Sequence, residues 1–228
     1  MKYVVSLSGG MDSSTLIYDL LEKGNKVKAI TFDYGQRHIK EINSAKDIAL
    51  HAGIDHEVID VSFLKALLPG SSLTDDKVAV PEGHYESESM KDTVVPNRNM
   101  IFTSILAAHA LAIGYDGVAL GIHAGDHAIY PDCRPEWAAR VLAAVKVGNW
   151  EADEFQMITP FVDMSKTDIC KRGLELGVPY ELTTTCYNGG AEACGKCGSC
   201  QERLEAFRDS GAIDPISYES YLKQLLLS

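Results

Sequence analysis

The apolar run Tyr3-Val4-Val5-Ser6-Leu7 ends in Ser8-Gly9-Gly10-Met11-Asp12-Ser13-Ser14, and no other stretch constrains the fold of this chain as tightly. Tyr3, Val4, Val5 and Leu7 read as a buried strand, and Ser14 to Lys23 carries the apolar spacing of an amphipathic helix. A strand, a glycine turn and a helix in succession build an anion site. Glycines let the backbone come close to a ligand, and the first N–H groups of a helix have no partner within it. Serine hydroxyls add donors for phosphate oxygens. The segment is not a Walker loop, because no Gly-Lys-Ser/Thr follows and no lysine reaches a terminal phosphate. The plain alternative is an ordinary glycine turn between strand and helix.

Short apolar runs rich in β-formers then alternate with amphipathic stretches. Strands are expected at Lys2–Ser8, Lys26–Phe32, Glu57–Val61, Gly117–Ile122 and Gln156–Thr159. Helices are expected at Ser14–Lys23, His38–Ala52, Arg98–Ile113, Pro135–Val147 and Lys166–Leu176. This order predicts an α/β fold, a doubly wound parallel sheet of Rossmann-like type with helices on both faces. The first strand then lies centrally, and ligand binds at the carboxyl ends of the strands where strand order reverses. The irregular stretch Leu67 to Pro96 breaks the alternation and reads as a lid or dimer-contact loop. From about Thr183 the composition turns to Cys, Gly and polar residues. Residues 1–182 are therefore expected to form the nucleotide-binding domain, with 183–228 as a small appendage packed on the same unit.

Net charge is −11, from 32 acidic and 21 basic residues, which argues against broad contact with a nucleic-acid backbone. No apolar stretch approaches the roughly 20 residues of a membrane span, and no basic region followed by a long apolar one opens the chain. A cytoplasmic protein is expected. There the six cysteines serve as ligands or thiols in preference to disulfides. Cys186, Cys194, Cys197 and Cys200 are spaced x7, x2, x2, and four thiolates suffice for a closed tetrahedral zinc site. An iron–sulfur cluster is the competing reading, although Gln201 stands where a ferredoxin-type run would continue. Cys133 and Cys170 lie outside the set.

Five segments together carry a wider resemblance. They are the first loop, Asp33-Tyr34-Gly35-Gln36-Arg37-His38, Val95-Pro96-Asn97-Arg98-Asn99-Met100, Tyr130-Pro131-Asp132-Cys133-Arg134 after Gly121-Ile122-His123, and Leu182-Thr183 to Cys186-Tyr187-Asn188-Gly189. The first resembles the loop of the pyrophosphate-loop ATP pyrophosphatases. In this order and spacing the set resembles the 7-cyano-7-deazaguanine synthase family, from Tyr3 to about Phe207. The resemblance implies a fold of the adenine-nucleotide α-hydrolase type. It also implies an acyl-adenylating ligase acting on a small molecule, 7-carboxy-7-deazaguanine, with ammonium, ATP and Mg2+. A carboxylate is a poor electrophile, so ATP would first adenylate it and ammonia would then give an amide. A second adenylation, on the amide oxygen, would release AMP and leave the nitrile. Positioning and charge stabilisation would carry most of the catalysis.

On this resemblance Leu7, Ser8, Gly9, Gly10, Met11, Asp12, Ser13, Ser14 and Arg37 hold ATP. Asp12, Arg98 and Lys166 are the catalytic residues. Asp132 meets the purine-like N–H edge and Arg134 the substrate carboxylate. Plainer readings stand beside these: a surface residue for Lys166, a turn for Asp132 and Arg134, a helix cap for Asp33. His38 and His123 are read as satisfied polar residues with no chemistry. A tRNA-modifying pyrophosphate-loop enzyme and a non-catalytic nucleotide-binding module are the rival functions. A homodimer is expected, with Tyr218, Tyr221, Leu222 and Leu225 to Leu227 as a partner surface or as packing on the chain's own core.

Overall fold

The computed structural model describes residues 1–85 and 87–219. Five strands, β1 (Lys2–Ser6), β2 (Lys26–Asp33), β3 (Asp55–Asp60), β4 (Gly117–Ala119) and β5 (Gln156–Ile158), form one sheet in the order β3-β2-β1-β4-β5. Every neighbouring pair is parallel, as the alternation of strands and helices requires. β1 is central, and Val4 pairs with Lys28 on one side and Val118 on the other. The chain winds outward from β1 through β2 to β3, then returns to start β4 on β1's free side. That reversal opens a crevice between the carboxyl ends of β1 and β4.

Alternation along β1 divides the core in two. Val4 packs with Leu106, Ala107 and Ala110 of helix α4 (Arg98–Ala112), on the face that α5 (Pro135–Gly148) also covers. Tyr3, Val5 and Leu7 pack with Leu16, Ile17 and Leu20 of α1 (Met11–Glu22). α2 (Lys40–Ala52) and α6 (Lys166–Glu175) complete that second face through Ile48 and Ile169. Each large aliphatic side chain buried this way contributes about 1.5–3 kcal/mol. Among the described residues, no helix is long and apolar enough to cross a membrane.

The boundaries differ from expectation where the site begins. β1 stops at Ser6 and β4 at Ala119, so Leu7-Ser8 and Gly121-Ile122-His123 are loop, not strand. α1 starts at Met11, three residues before the expected Ser14, which makes Asp12 and Ser13 first-turn residues. The stretch 67–96 is entered from a short helix, α3 (Leu64–Leu67), and contains a 3-10 turn at Glu88–Thr93. It is fastened from within and to the cysteine-rich segment. Ser72 N–H donates to Asp92 O, Ser71 Oγ to Thr93 O, and Gly83 N–H to Lys196 O.

The cysteine-rich segment leads into α7 (Gly198–Asp209). Arg203 of α7 is fully buried and ties the segment down, donating to Asp214, to Thr183 Oγ1 at 2.7 Å and to Tyr180 O at 3.2 Å. Tyr218 is buried beside the cysteines and donates to Asp214 Oδ2, so it packs on the chain's own core. Tyr221, Leu222 and Leu225 to Leu227 lie outside the described residues.

Candidate active site

The crevice between β1 and β4 widens into a cavity of about 270 Å³. Leu7, Ser8, Gly10, Met11, Asp12 and Ser13 line one side of it. Gly10 caps α1 without a side-chain hydrogen bond, so the first-turn N–H groups are left for a ligand. Ser8 and Ser13 stand at the same turn, their hydroxyls 3.0 Å apart. Ser14, fully buried behind the turn with its Oγ unpartnered, does not line the cavity.

Gly9 explains how tightly the loop is folded. Its φ is +75°, and a Cβ there would lie 2.7 Å from Ala45 N and closer still to Glu41 O, both backbone atoms of α2. Gly9→Ala must therefore push the loop off α2. The expected cost is about 1–3 kcal/mol of stability, with ATP affinity reduced at least about tenfold. Thermal unfolding and nucleotide titration calorimetry measure the two effects. Unchanged ATP affinity would detach the loop from nucleotide binding.

Opposite Ser13, Lys166 Nζ lies 2.6 Å from Asp12 Oδ2 and 3.2 Å from Glu202 Oε2. Burial pushes the Asp12 carboxyl up, but the Lys166 ammonium above all outweighs it and holds it below the usual range. Burial likewise works against the Lys166 charge, and Asp12 with Glu202 more than offsets that, so the ammonium is held firmly protonated. Glu202 is raised, because burial outweighs Lys166. Lys166 opens α6, whose end is capped by Ser165 and Asp168 in reciprocal hydrogen bonds. A cation at a helix N-terminus opposes the helix dipole, and here the two carboxylates compensate for it.

The remaining wall is aromatic. Phe102, Tyr85, Tyr130 and Tyr187 line it, with Phe102 stacked on Phe32 at 4.1 Å between ring centroids. Arg98, the first residue of α4, lines the cavity with its guanidinium 5.9 Å from the Tyr34 ring centre. Among the described residues no carboxylate lies within ion-pair distance of it, and Asn99 Oδ1 accepts from it only at 3.4 Å. The preceding Asn97 takes the left-handed conformation at φ 59°, which asparagine tolerates, and so turns the chain into α4.

Three expected ligand residues stand elsewhere. Arg37 donates to the carbonyls of Asp75 and Val78 at 2.9 and 3.0 Å, strapping the 67–96 stretch, and does not line the cavity. Arg134 is exposed and donates to His127 O. Asp132 lies in the turn Pro131–Cys133, where its backbone oxygen accepts from Asn99; its neighbour Cys133 lines the cavity. Conversely Glu202, the aromatic wall and Thr184 join the site with no role foreseen for them.

The four cysteines come together as their spacing suggests. One Sγ from each of Cys186, Cys194, Cys197 and Cys200 lies within 4.8 Å of all the others, and all four residues are buried. Backbone N–H groups of Cys194, Lys196 and Cys197 point at the sulfurs from 3.3 to 3.4 Å. The module touches the phosphate loop, since Thr184 N–H donates to Gly9 O at 2.9 Å.

A Ser- and Gly-rich loop without a Walker lysine, opening a helix at the reversal point of a parallel sheet, has the form of the pyrophosphate-loop class of α/β enzymes. Residues 2–211 match the family described as "Queuosine biosynthesis protein QueC". The chain is 52% identical over 218 residues to 7-cyano-7-deazaguanine synthase 1 of Colwellia psychrerythraea, covering 96% of this chain and 99% of that one. It is 51% identical over 219 residues to 7-cyano-7-deazaguanine synthase of Methanoregula boonei, covering 96% and 100%. The chain belongs to the QueC family.

Proposed function

We propose that this chain is an ATP-dependent carbon–nitrogen ligase that converts 7-carboxy-7-deazaguanine and ammonia to 7-cyano-7-deazaguanine. The observation that carries this reading is that the phosphate loop and the Arg98-bearing aromatic wall line one and the same cavity. An α-phosphorus and a carboxylate held on the two walls meet without diffusing, which is the larger part of what such a reaction needs.

In the first round the carboxylate oxygen attacks the α-phosphorus, the bond to pyrophosphate breaks, and an acyl-adenylate results. Ammonia adds to the acyl carbon and AMP leaves with the C–O bond, giving the amide once nitrogen loses its extra proton. In the second round the amide oxygen takes an adenylyl group from another ATP. Loss of AMP and of the nitrogen's protons leaves the nitrile. The first turn of α1 holds pyrophosphate, and Lys166 faces the charge that develops at the α-phosphate. Arg98 is a planar fork suited to the substrate carboxylate. Arg37, Asp132 and Arg134 act as supports of the cavity wall on this reading.

Mg2+ accompanies ATP, and Asp12 Oδ1, buried without a partner, is a carboxylate oxygen suited to meet it. The four cysteines suit a structural Zn2+: their sulfurs sit close enough for one tetrahedral ion, whereas a four-iron cluster sets its own atoms between its ligands. A cytoplasmic location, where thiols stay reduced and available as ligands, goes with such a site. Ammonia comes from solution as ammonium. A homodimer is the expected assembly, to be checked by light scattering.

The test is incubation with 7-carboxy-7-deazaguanine, ammonium, ATP and Mg2+, with products read by mass spectrometry. The expected result is the nitrile, with AMP and pyrophosphate. An amide alone means that the second activation does not occur here. No conversion, with ATP still bound, overturns the reading in favour of a tRNA substrate or a binding-only role.

A further inference from the structure

His123 lies just beyond β4 and is 1% exposed. Its Nδ1 accepts the backbone N–H of Gly125 at 3.1 Å. A ring nitrogen that accepts carries no proton, so the neutral ring keeps its one proton on Nε2. That Nε2–H has no acceptor at hydrogen-bond length. Asp126 Oδ2 lies 3.6 Å away and Asp12 Oδ2 3.8 Å away. Both carboxylates are engaged elsewhere, Asp12 with Lys166 at 2.6 Å and Asp126 with the Tyr85 hydroxyl at 2.8 Å. His123 lines the cavity.

The fold holds the ring in place at some cost. A Cβ on Gly125 would lie 3.0 Å from His123 Cε1, 3.1 Å from Nδ1 and 2.9 Å from Glu202 Oε1. Glycine at 125 leaves room for the backbone N–H to approach Nδ1, where a side chain would crowd the ring. Capping the turn after His123 does not by itself call for histidine, since an asparagine oxygen at the position of Nδ1 would accept the same N–H. What histidine adds is the second nitrogen, a donor whose nearest carboxylate oxygens stand 3.6 and 3.8 Å away. On a cavity wall, a donor with no acceptor inside hydrogen-bond length can turn to a ligand.

Its position says which ligand atom. His123 stands between Asp12 of the phosphate loop and Asp126, whose Tyr85 partner belongs to the aromatic wall. The acyl carbon must lie at that seam if the α-phosphorus and the base are to react.

We propose that His123 is a catalytic residue, whose Nε2–H donates to the carbonyl oxygen of the acyl-adenylate as ammonia adds. This rests on the synthase reading above. As the C–N bond forms, the carbonyl π pair moves onto that oxygen and the His123 N–H stabilises the charge. The pair returns as the bond to AMP breaks, and the extra proton on nitrogen passes to a second ammonia. The imidazole keeps its own proton throughout. Lys166 offsets the negative charge of Asp12 beside it.

The second round differs. There the amide oxygen itself carries the adenylyl group and leaves with AMP, so no oxyanion forms. The donor therefore acts in amide formation and not in nitrile formation, and this asymmetry is what the experiment reads. His123→Asn keeps the cap on Gly125 but cannot reach the Nε2 position, while His123→Gln reaches it with an amide N–H. Turnover is measured from the carboxylate and, separately, from supplied 7-amido-7-deazaguanine.

The expected result for His123→Asn is a loss of about 10²- to 10³-fold from the carboxylate, the scale of one missing oxyanion donor. Conversion of the amide stays within about threefold of the unmodified protein, and His123→Gln regains at least about tenfold of the loss. Equal losses from both bases, or no loss from either, overturn the proposal and leave the synthase reading standing. If the unmodified protein converts neither base, the synthase reading falls and the role of His123 with it.

Discussion

Lys166→Met is expected to lower kcat by about 10²- to 10³-fold or more, the usual effect of removing one preorganised charge from a developing anion. The same change strips the cation from between Asp12 and Glu202, whose side chains are 22% and 12% exposed. Leaving buried charges unpaired in this way costs about 3–5 kcal/mol. Stability will also acquire a new pH dependence. In the unmodified protein the Asp12 carboxyl is lowered, so its contribution is present above the ordinary aspartate range and lost only in acid. The Lys166 ammonium is raised, so its contribution persists until pH rises past the ordinary lysine range. Between about pH 5 and pH 9 the pair therefore produces no inflection.

Without Lys166 both carboxyls rise, because the main charge opposing burial is gone. The folded state then binds more protons than the unfolded one, and stability falls as pH increases through that range. Urea unfolding at about pH 5.5 and pH 8 reads the sign directly. A second variant separates the two roles. Lys166→Met combined with Glu202→Gln removes one unpaired charge, so it should recover part of the stability and none of the turnover. Near-normal AMP formation in either variant would reduce Lys166 to a structural ion pair.

Lys166 also marks the limit of what the chain discloses before it folds. The alternation of apolar runs with amphipathic stretches was enough for a doubly wound parallel sheet with β1 central, since parallel strands with right-handed crossovers leave few arrangements. The phosphate loop and the four cysteines were legible because each is contiguous, and local spacing is what a sequence displays. Glu202 was not. It sits in Gly198–Asp209 among Gln201, Arg203 and Glu205, and nothing in that run separates an inward carboxylate from a solvated one. Only the folded cysteine module carries α7 against Lys166. Arg37 shows a different limit, because guanidinium donors satisfy the carbonyls of Asp75 and Val78 as well as they would phosphate, and the sequence does not separate the two. The aromatic wall draws Tyr85, Phe102, Tyr130 and Tyr187 from four separate segments, so no window of sequence contains it. His123 was read as a satisfied polar residue, and half of it is: Nδ1 has its partner and Nε2 does not.

Replacing Cys197 by Ser, or stripping the zinc proposed for the four-cysteine site with a chelator, is expected to abolish turnover while the sheet stays folded. Cys197 is fully buried, and its neighbours hold the sulfurs through backbone N–H groups, so the site has no slack to accept an oxygen ligand. Structural zinc sites in small modules contribute about 10–16 kcal/mol of apparent binding energy, most of it spent on folding the module itself. Here the cysteines form their own cluster with Val80, Ala193 and Tyr218, separate from the two clusters that cover the sheet. Metal loss should therefore melt the module locally and not the whole domain. Turnover is lost with it because Thr184, Tyr187 and Glu202 all line the cavity, and Thr184 N–H holds Gly9 O at the phosphate loop. Hydrogen exchange resolves the two regions. Protection should vanish across 184–209 and around Glu82 and Gly83, which bond to Cys197 and Lys196, while β1 and β4 keep theirs. Exchange that rises uniformly would make the module part of one cooperative unit with the sheet. Turnover that survives would mean the wall supplied by α7 is dispensable, and the contact of Glu202 with Lys166 along with it.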